Sequence, residues 1–205
     1  DGLISPEDVV IKAKNNDCKI ISITDHELLN EYDALAKKYN IDIISGIEFN
    51  TSISNLHLLG YAVKNFKLVD EVMQNLRIKN ERVCLEVIEL LKKDGFVISE
   101  TLIKKYLQEI NLDYSILDKR KLVKYLMYMG YTNSIVETYE TLIGKKQKYY
   151  VPNVKLSTEG NIIIIDQSGR YTGLGHPNTV TSDKNSLGGI LNRLNDAGLF
   201  GIEVV

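Results

Sequence analysis

Apolar positions recur along this chain with two different periods. Short runs rich in β-branched residues, each bounded by turn chemistry, predict strands over 19–24, at 43–44, over 56–63 and 172–175, and at 200–205. The first, Ile20-Ile21-Ser22-Ile23-Thr24, reads as a strand buried on both faces. Apolar residues spaced three and four apart predict helices after Ser5-Pro6, with Val9, Val10 and Ala13 inward, and over 28–39, where Leu28, Leu29, Tyr32, Leu35 and Ala36 share a face. Strand followed by helix followed by strand is the signature of parallel βαβ units.

The pattern changes from about residue 64. A long helix is expected over 68–93, with Val72, Leu76, Ile78, Val83, Val87, Leu90 and Leu91 as its apolar set and Asp94-Gly95 as its stop. Shorter helices follow at 99–109, 119–129 and 134–143, the last with Ser134 and Glu137 at capping-box spacing. Several helices in a row without a strand argue for an all-α insertion, 64–158, in an α/β host formed by 1–63 and 159–205. The stretch Ser157 to Asp166 is contested. Four consecutive isoleucines favour a strand, but Ser157 as a cap and the acid after it favour a helix, which is the reading taken. A last helix is expected over 186–197.

Chemistry-bearing residues stand at the ends of these strands. The first strand stops on Asp25-His26, the second run leads to Glu48, and the other two histidines, His57 and His176, also lie beside strand ends. Asp25 alone could simply cap the next helix and His26 be a satisfied surface histidine. Histidine and carboxylate gathered at successive strand ends are, however, the ligand chemistry of a divalent-metal hydrolase. Composition places the chain among ordinary globular proteins: 205 residues, 44% hydrophobic, 25% charged, formal net charge −2. That balance gives no electrostatic reason for whole-surface nucleic-acid binding. Two distant cysteines, Cys18 and Cys84, and no signal-like or membrane-length apolar run point to a reduced, cytoplasmic setting with no membrane partner.

Taken in order, Asp1-Gly2 with Ser5-Pro6-Glu7, Thr24-Asp25-His26, Gly46-Ile47-Glu48, His57-Leu58-Leu59-Gly60-Tyr61, Gly175-His176-Pro177 and Gly201-Ile202-Glu203-Val204 resemble the polymerase and histidinol phosphatase (PHP) family of metal-dependent phosphoesterases. The subfamily it resembles includes nucleoside 3′,5′-bisphosphate phosphatases and 5′→3′ exoribonucleases. The resemblance implies a distorted (β/α)7 TIM-like barrel holding two or three divalent ions (Mn, Fe, Zn or Mg). It implies that Glu48 bridges two ions with His57 and His176 on one of them, that Asp1 and His26 hold a third, and that Asp25 and Glu203 orient or support the ligands. The substrate class implied is a small phosphorylated molecule or nucleotide, or the 5′ end of an RNA. Family members also carry a His-x-His before the Asp-Gly and a later Asp-x-His. Neither lies within these residues, so the barrel is expected to be incompletely represented and impaired on its own. A catalytically inactive binding or regulatory module is the alternative, and a polymerase-associated nuclease domain a weaker third. The subfamily's Arg-Pro-His run is replaced here by Lys119-Arg120-Lys121, and its arginine after His-Pro by Asn178-Thr179. The three cations are either a substrate-phosphate grip or a solvated helix face. Oligomeric state is left open.

Overall fold

The computed structural model describes residues 4–169, 171–181 and 183–204. It divides into two compact units, residues 1–73 with 155–205 and residues 74–154. The first is built on a mixed sheet. Its strands are β1 (Ile20–Ile23), β2 (Asp42–Asn50), β3 (His57–Tyr61), β4 (Tyr171–Gly175) and β5 (Gly201–Ile202), in the spatial order β1-β2-β3-β4-β5.

The expected parallel pairing holds at the two edges of the sheet and fails at β3. β1 runs parallel to β2 and β4 parallel to β5, but β3 is antiparallel to both of its neighbours. The reason lies in loop length. Only residues 51–56 separate β2 from β3, too few for the crossover a parallel pair needs. Thr51 pins that turn, its hydroxyl 2.9 Å from the Leu56 carbonyl and 3.2 Å from the Ile53 carbonyl and amide. β1 is also not buried on both faces. It is the edge strand of the described sheet, and Ile20 is 57% exposed. Gly46 of β2 marks where β1 approaches, because a Cβ there would stand 2.2 Å from Ser22 Oγ and 2.7 Å from Thr24 Cγ2.

Helix α1 (Pro6–Asn15) starts at Ser5, whose Oγ accepts the Asp8 amide, and buries Val10. The next helix is shorter than its periodicity suggested. α2 occupies only Asp33–Tyr39, because residues 26–27 bond to β2 and Glu27 takes a left-handed backbone with φ 54°. The contested isoleucine run is helical. In α7 (Thr158–Ser168), Ile162 and Ile165 are buried, Ile163 is exposed, and Ser157 Oγ accepts the Gly160 amide. The final strand is two residues long, after α8 (Lys184–Asp196).

The second unit is helical. It holds the C-terminal part of α3 (Phe66–Lys93), then α4 (Glu100–Glu109), α5 (Lys119–Tyr128) and α6 (Ile135–Thr138), with a π-turn at Tyr139–Ile143. Ser99, Asp118 and Ser134 each accept a first-turn amide, so each helix start is fixed by its own sequence. Cys84, Val87, Leu91, Ile103, Leu107, Leu122 and Leu126 form the centre of one contiguous core. Ile78, expected among the apolar set, is 45% exposed, because the buried stripe runs through Leu76, Cys84, Val87, Ile88 and Leu91 and misses it. Among the described residues, no helix is long and apolar enough to cross a membrane.

Candidate metal centre

The mixed sheet decides which strand ends meet. In the β2–β3 register Asn50 faces His57, and in the β3–β4 register His57 faces Gly175, one residue before His176. His26 and Glu48 form an isolated parallel bridge, with the Glu48 amide donating to the Asp25 carbonyl at 3.1 Å and the Glu27 amide to the Glu48 carbonyl at 2.8 Å. All three histidines therefore surround one glutamate.

Glu48 Oε1 lies 2.8 Å from His57 Nδ1 and 2.9 Å from His176 Nε2, and those two nitrogens are 3.2 Å apart. Its other oxygen, Oε2, lies 3.6 Å from His26 Nε2. The His57 ring meets the other two edge-on, with centroids 4.9 Å from His26 and 4.8 Å from His176. Glu48 Oε1, His57 Nδ1 and His176 Nε2 lie at hydrogen-bond distances from one another, close enough to share one cation after a small adjustment. His26, Glu48 and His57 by themselves also offer ligand atoms within 4.8 Å of one another. The residues present thus fit a divalent cation: two imidazoles crowd one carboxylate oxygen, and a third faces the other oxygen.

Burial pushes the His57 imidazole below its usual titration range, and the Glu48 carboxylate pulls in the opposite direction. The balance favours the neutral ring, which is the form that ligates. Tyr61, on β3, is held protonated to higher pH by burial and by the charges of Glu203 and Glu48. The Glu203 carboxylate accepts the His176 backbone N–H at 2.6 Å and so grips the peptide of a candidate ligand. Asp25 contributes its backbone carbonyl, described above, and Asp1 lies outside the described residues.

Lys119, Arg120 and Lys121 belong to the helical unit, and each is engaged there. Lys119 donates to the Val151 carbonyl, Arg120 pairs with Asp118 at 3.2 Å, and Lys121 pairs with Asp113 at 2.7 Å while donating to the Ile116 carbonyl. Two residues to which the motif reading assigned no role in the centre also shape it. Thr179 Oγ1 lies 2.9 Å from His176 Nδ1, and Asn50 Nδ2 donates to Glu27 Oε1 at 3.1 Å. Only the placement of Thr179 three residues after His176, within the turn that Pro177 opens, could have signalled the first.

No family profile matches this chain. A 5′-3′ exoribonuclease of Haemophilus influenzae is 25% identical over 101 residues, which cover 46% of this chain and 37% of that protein. Among solved structures, a protein provisionally assigned as a metal-dependent phosphoesterase from Bifidobacterium adolescentis matches with a TM-score of 0.72 and 18% identity, over 99% of this chain and 72% of that one. An amidohydrolase from Chromobacterium violaceum, solved with sulfate and no metal, matches with a TM-score of 0.74 and 17% identity, over 98% and 72%. The mixed α/β fold is shared with these proteins. At such identities the likeness is one of fold, and function has to come from the site.

Proposed function

We propose that this chain is a metal-dependent phosphoesterase of the PHP type, built on that family's distorted barrel and acting on a phosphomonoester of a small molecule or nucleotide, or on the 5′ end of an oligonucleotide. One observation carries the reading: His26, His57 and His176 converge on the two oxygens of Glu48. The fold shared with the Bifidobacterium protein and the partial match to the exoribonuclease support the same class.

In this reading His57, His176 and Glu48 would hold one divalent ion (Mn, Fe, Zn or Mg), and Glu48 with His26 would help to hold a second. Bound ions would lower the pKa of water and offset charge on phosphoryl oxygens. The chain's own residues supply geometry. Glu48 is fixed at both backbone groups by residues 25–27, and its carboxylate is held in place by its contacts to His57, His176 and His26. Glu203 restrains the His176 peptide, which takes a left-handed backbone with φ 29°. Neutral imidazoles and one carboxylate leave a bound cation with net positive charge to meet the phosphate.

Metal uptake and turnover check this together. The complete protein is incubated with Mn²⁺, desalted and analysed for bound metal, then assayed on nucleoside 3′,5′-bisphosphates and on 5′-phosphorylated RNA. Retained Mn²⁺ with phosphate release, both lost in His57→Ala, is the expected result. Wild-type protein with neither retained metal nor turnover overturns it.

A further inference from the structure

We infer that Thr179 is a positioning residue that holds His176 Nδ1 in either tautomer and so keeps Nε2 turned towards the metal centre. The inference deepens the metal-centre reading and rests on it for its consequence, but not for the contact itself.

The His176 ring is held at both nitrogens. Nε2 faces Glu48 Oε1 at 2.9 Å, and Nδ1 faces Thr179 Oγ1 at 2.9 Å. The Thr179 hydroxyl has two further neighbours, the His176 carbonyl at 2.9 Å and the Asn55 carbonyl at 3.2 Å. Carbonyls only accept, so the hydroxyl proton always has an acceptor on the side away from the ring. With its proton on a carbonyl, Oγ1 presents a lone pair to Nδ1, the ring proton settles on Nδ1, and the Nε2 lone pair points at Glu48 Oε1. The Nε2 lone pair then faces Glu48 Oε1 at 2.9 Å and His57 Nδ1 at 3.2 Å, and either a shared cation or an Nδ1–H of His57 satisfies it. Without the cation the same hydroxyl turns and donates to Nδ1, leaving Nε2–H to donate to Glu48. In this exchange the Nε2–H bond breaks, its proton passing to solvent, and an Nδ1–H bond forms with a proton taken from solvent, to which the half-exposed His176 ring is open. One hydroxyl rotates and the ring changes tautomer.

A hydroxyl can play both parts because it donates and accepts, which neither a lysine nor a carboxylate can do. The turn is built to hold it there. His176 and Asn55 both have left-handed backbones, with φ of 29° and 60°, and these turns aim the two carbonyls at Oγ1. Partners of this kind on the far nitrogen of a metal-binding histidine fix its tautomer and typically alter metal affinity 10- to 100-fold.

The decisive measurement is ¹⁵N NMR of the histidine side chains, with diamagnetic Zn²⁺ as the probe metal. Metal-free wild type should show His176 protonated at Nε2, and Zn²⁺ should move the proton to Nδ1. In Thr179→Val the His176 pattern should change in the metal-free protein and Zn²⁺ affinity should fall about tenfold, whereas Thr179→Ser should restore both. A Val variant with wild-type ¹⁵N shifts and wild-type affinity overturns the inference. If wild type takes up no metal, the metal-centre reading fails, and the metal-free spectrum of Thr179→Val still decides whether Thr179 holds Nδ1.

Discussion

The sheet-bearing unit and the helical unit put their polar groups to opposite uses. Of the seven buried polar residues among those described, Thr51, Thr158, Asn161, Ser168 and Thr172 lie in the sheet unit, and only Thr132 and Thr138 in the helical one. The helical pair is self-sufficient, with hydroxyls 2.6 Å apart. In the sheet unit, by contrast, Asn161 Oδ1 and Thr158 Oγ1 are buried without a partner. The charges diverge as well. The sheet unit has 11 Lys and Arg against 17 Asp and Glu, a formal −6, whereas the helical unit has 14 against 10, a formal +4. A negatively charged unit repels anions and attracts cations. Both units have apolar cores, but the histidine and glutamate cluster lies in the sheet unit.

Two substitutions would break that contrast if it is wrong. Glu48→Gln removes the anion that faces all three imidazoles and should weaken metal binding about 100-fold, while the thermal midpoint of the metal-free protein stays nearly constant. Titration calorimetry and a melt read the two effects. Leu122→Ala should do the reverse. Leu122 is fully buried in the helical core, so its truncation should cost about 3 kcal/mol while metal affinity of the folded molecules is unchanged. Should Glu48→Gln unfold the protein, the centre is structural rather than functional.

How much of this was legible beforehand follows the same division. Helix starts in the helical unit were readable, because Ser99 and Ser134 satisfy first-turn amides by local chemistry alone. The glutamate and histidines could be picked out as candidates from residue type at strand ends. Their mutual geometry could not, since it depends on β3 running antiparallel to both neighbours, and strand direction is decided by loop length and long-range pairing. The 28–39 helix was overestimated for a related reason. Its periodicity was real, but residues 26–27 are committed to β2 through backbone bonds that no local pattern records. Thr179 was read only as part of the pair that stands where the resembled subfamily has an arginine, because its spacing from His176 marks a contact only once the turn at Pro177 is known.

Gly46→Ala sharpens the comparison from the backbone side. The new methyl would collide with Ser22 Oγ and Thr24 Cγ2, pushing β1 away from β2 at a cost of about 1–3 kcal/mol. Because His26 follows β1 directly, metal affinity should fall along with stability, whereas the helical-core substitution separates the two. The paired measurement is a denaturant curve and a Zn²⁺ titration. Loss of stability with unaltered affinity would mean that His26 is placed independently of β1.

The thiols give a smaller, chemical version of the contrast. Cys84 sits in the helical core, where burial pushes its thiol up to about 12, while Cys18 in the sheet unit is exposed. At pH 8 the native chain should release about one equivalent in a thiol assay and two after denaturation, since only a thiolate reacts. The linkage has a definite sign. Once unfolded, Cys84 ionises near its ordinary value of about 8.5, but in the native core it keeps its proton until about 12. Its contribution to stability is therefore complete below about pH 8.5 and declines as pH rises towards 12. A Cys84→Ala variant, destabilised at neutral pH by the lost packing, should show a shallower loss of stability above pH 9 than wild type. Equal slopes in the two proteins would place the alkaline sensitivity elsewhere.

The smallest effect concerns a helix start. Ser134 Oγ accepts the Glu137 amide at 3.0 Å, and Glu137 Oε2 reaches back to the Asn133 amide at 2.7 Å, so side chain and backbone close on each other before α6 begins. Ser134→Ala should cost about 1 kcal/mol, and Ser134→Asp should restore most of it by accepting the same amide and adding charge at the helix start. Neither should change metal affinity, because the bonds it touches lie wholly within the helical unit. A shift in Zn²⁺ affinity on Ser134→Ala, at constant folded fraction, would show that the two units are energetically coupled and that their division of labour is incomplete.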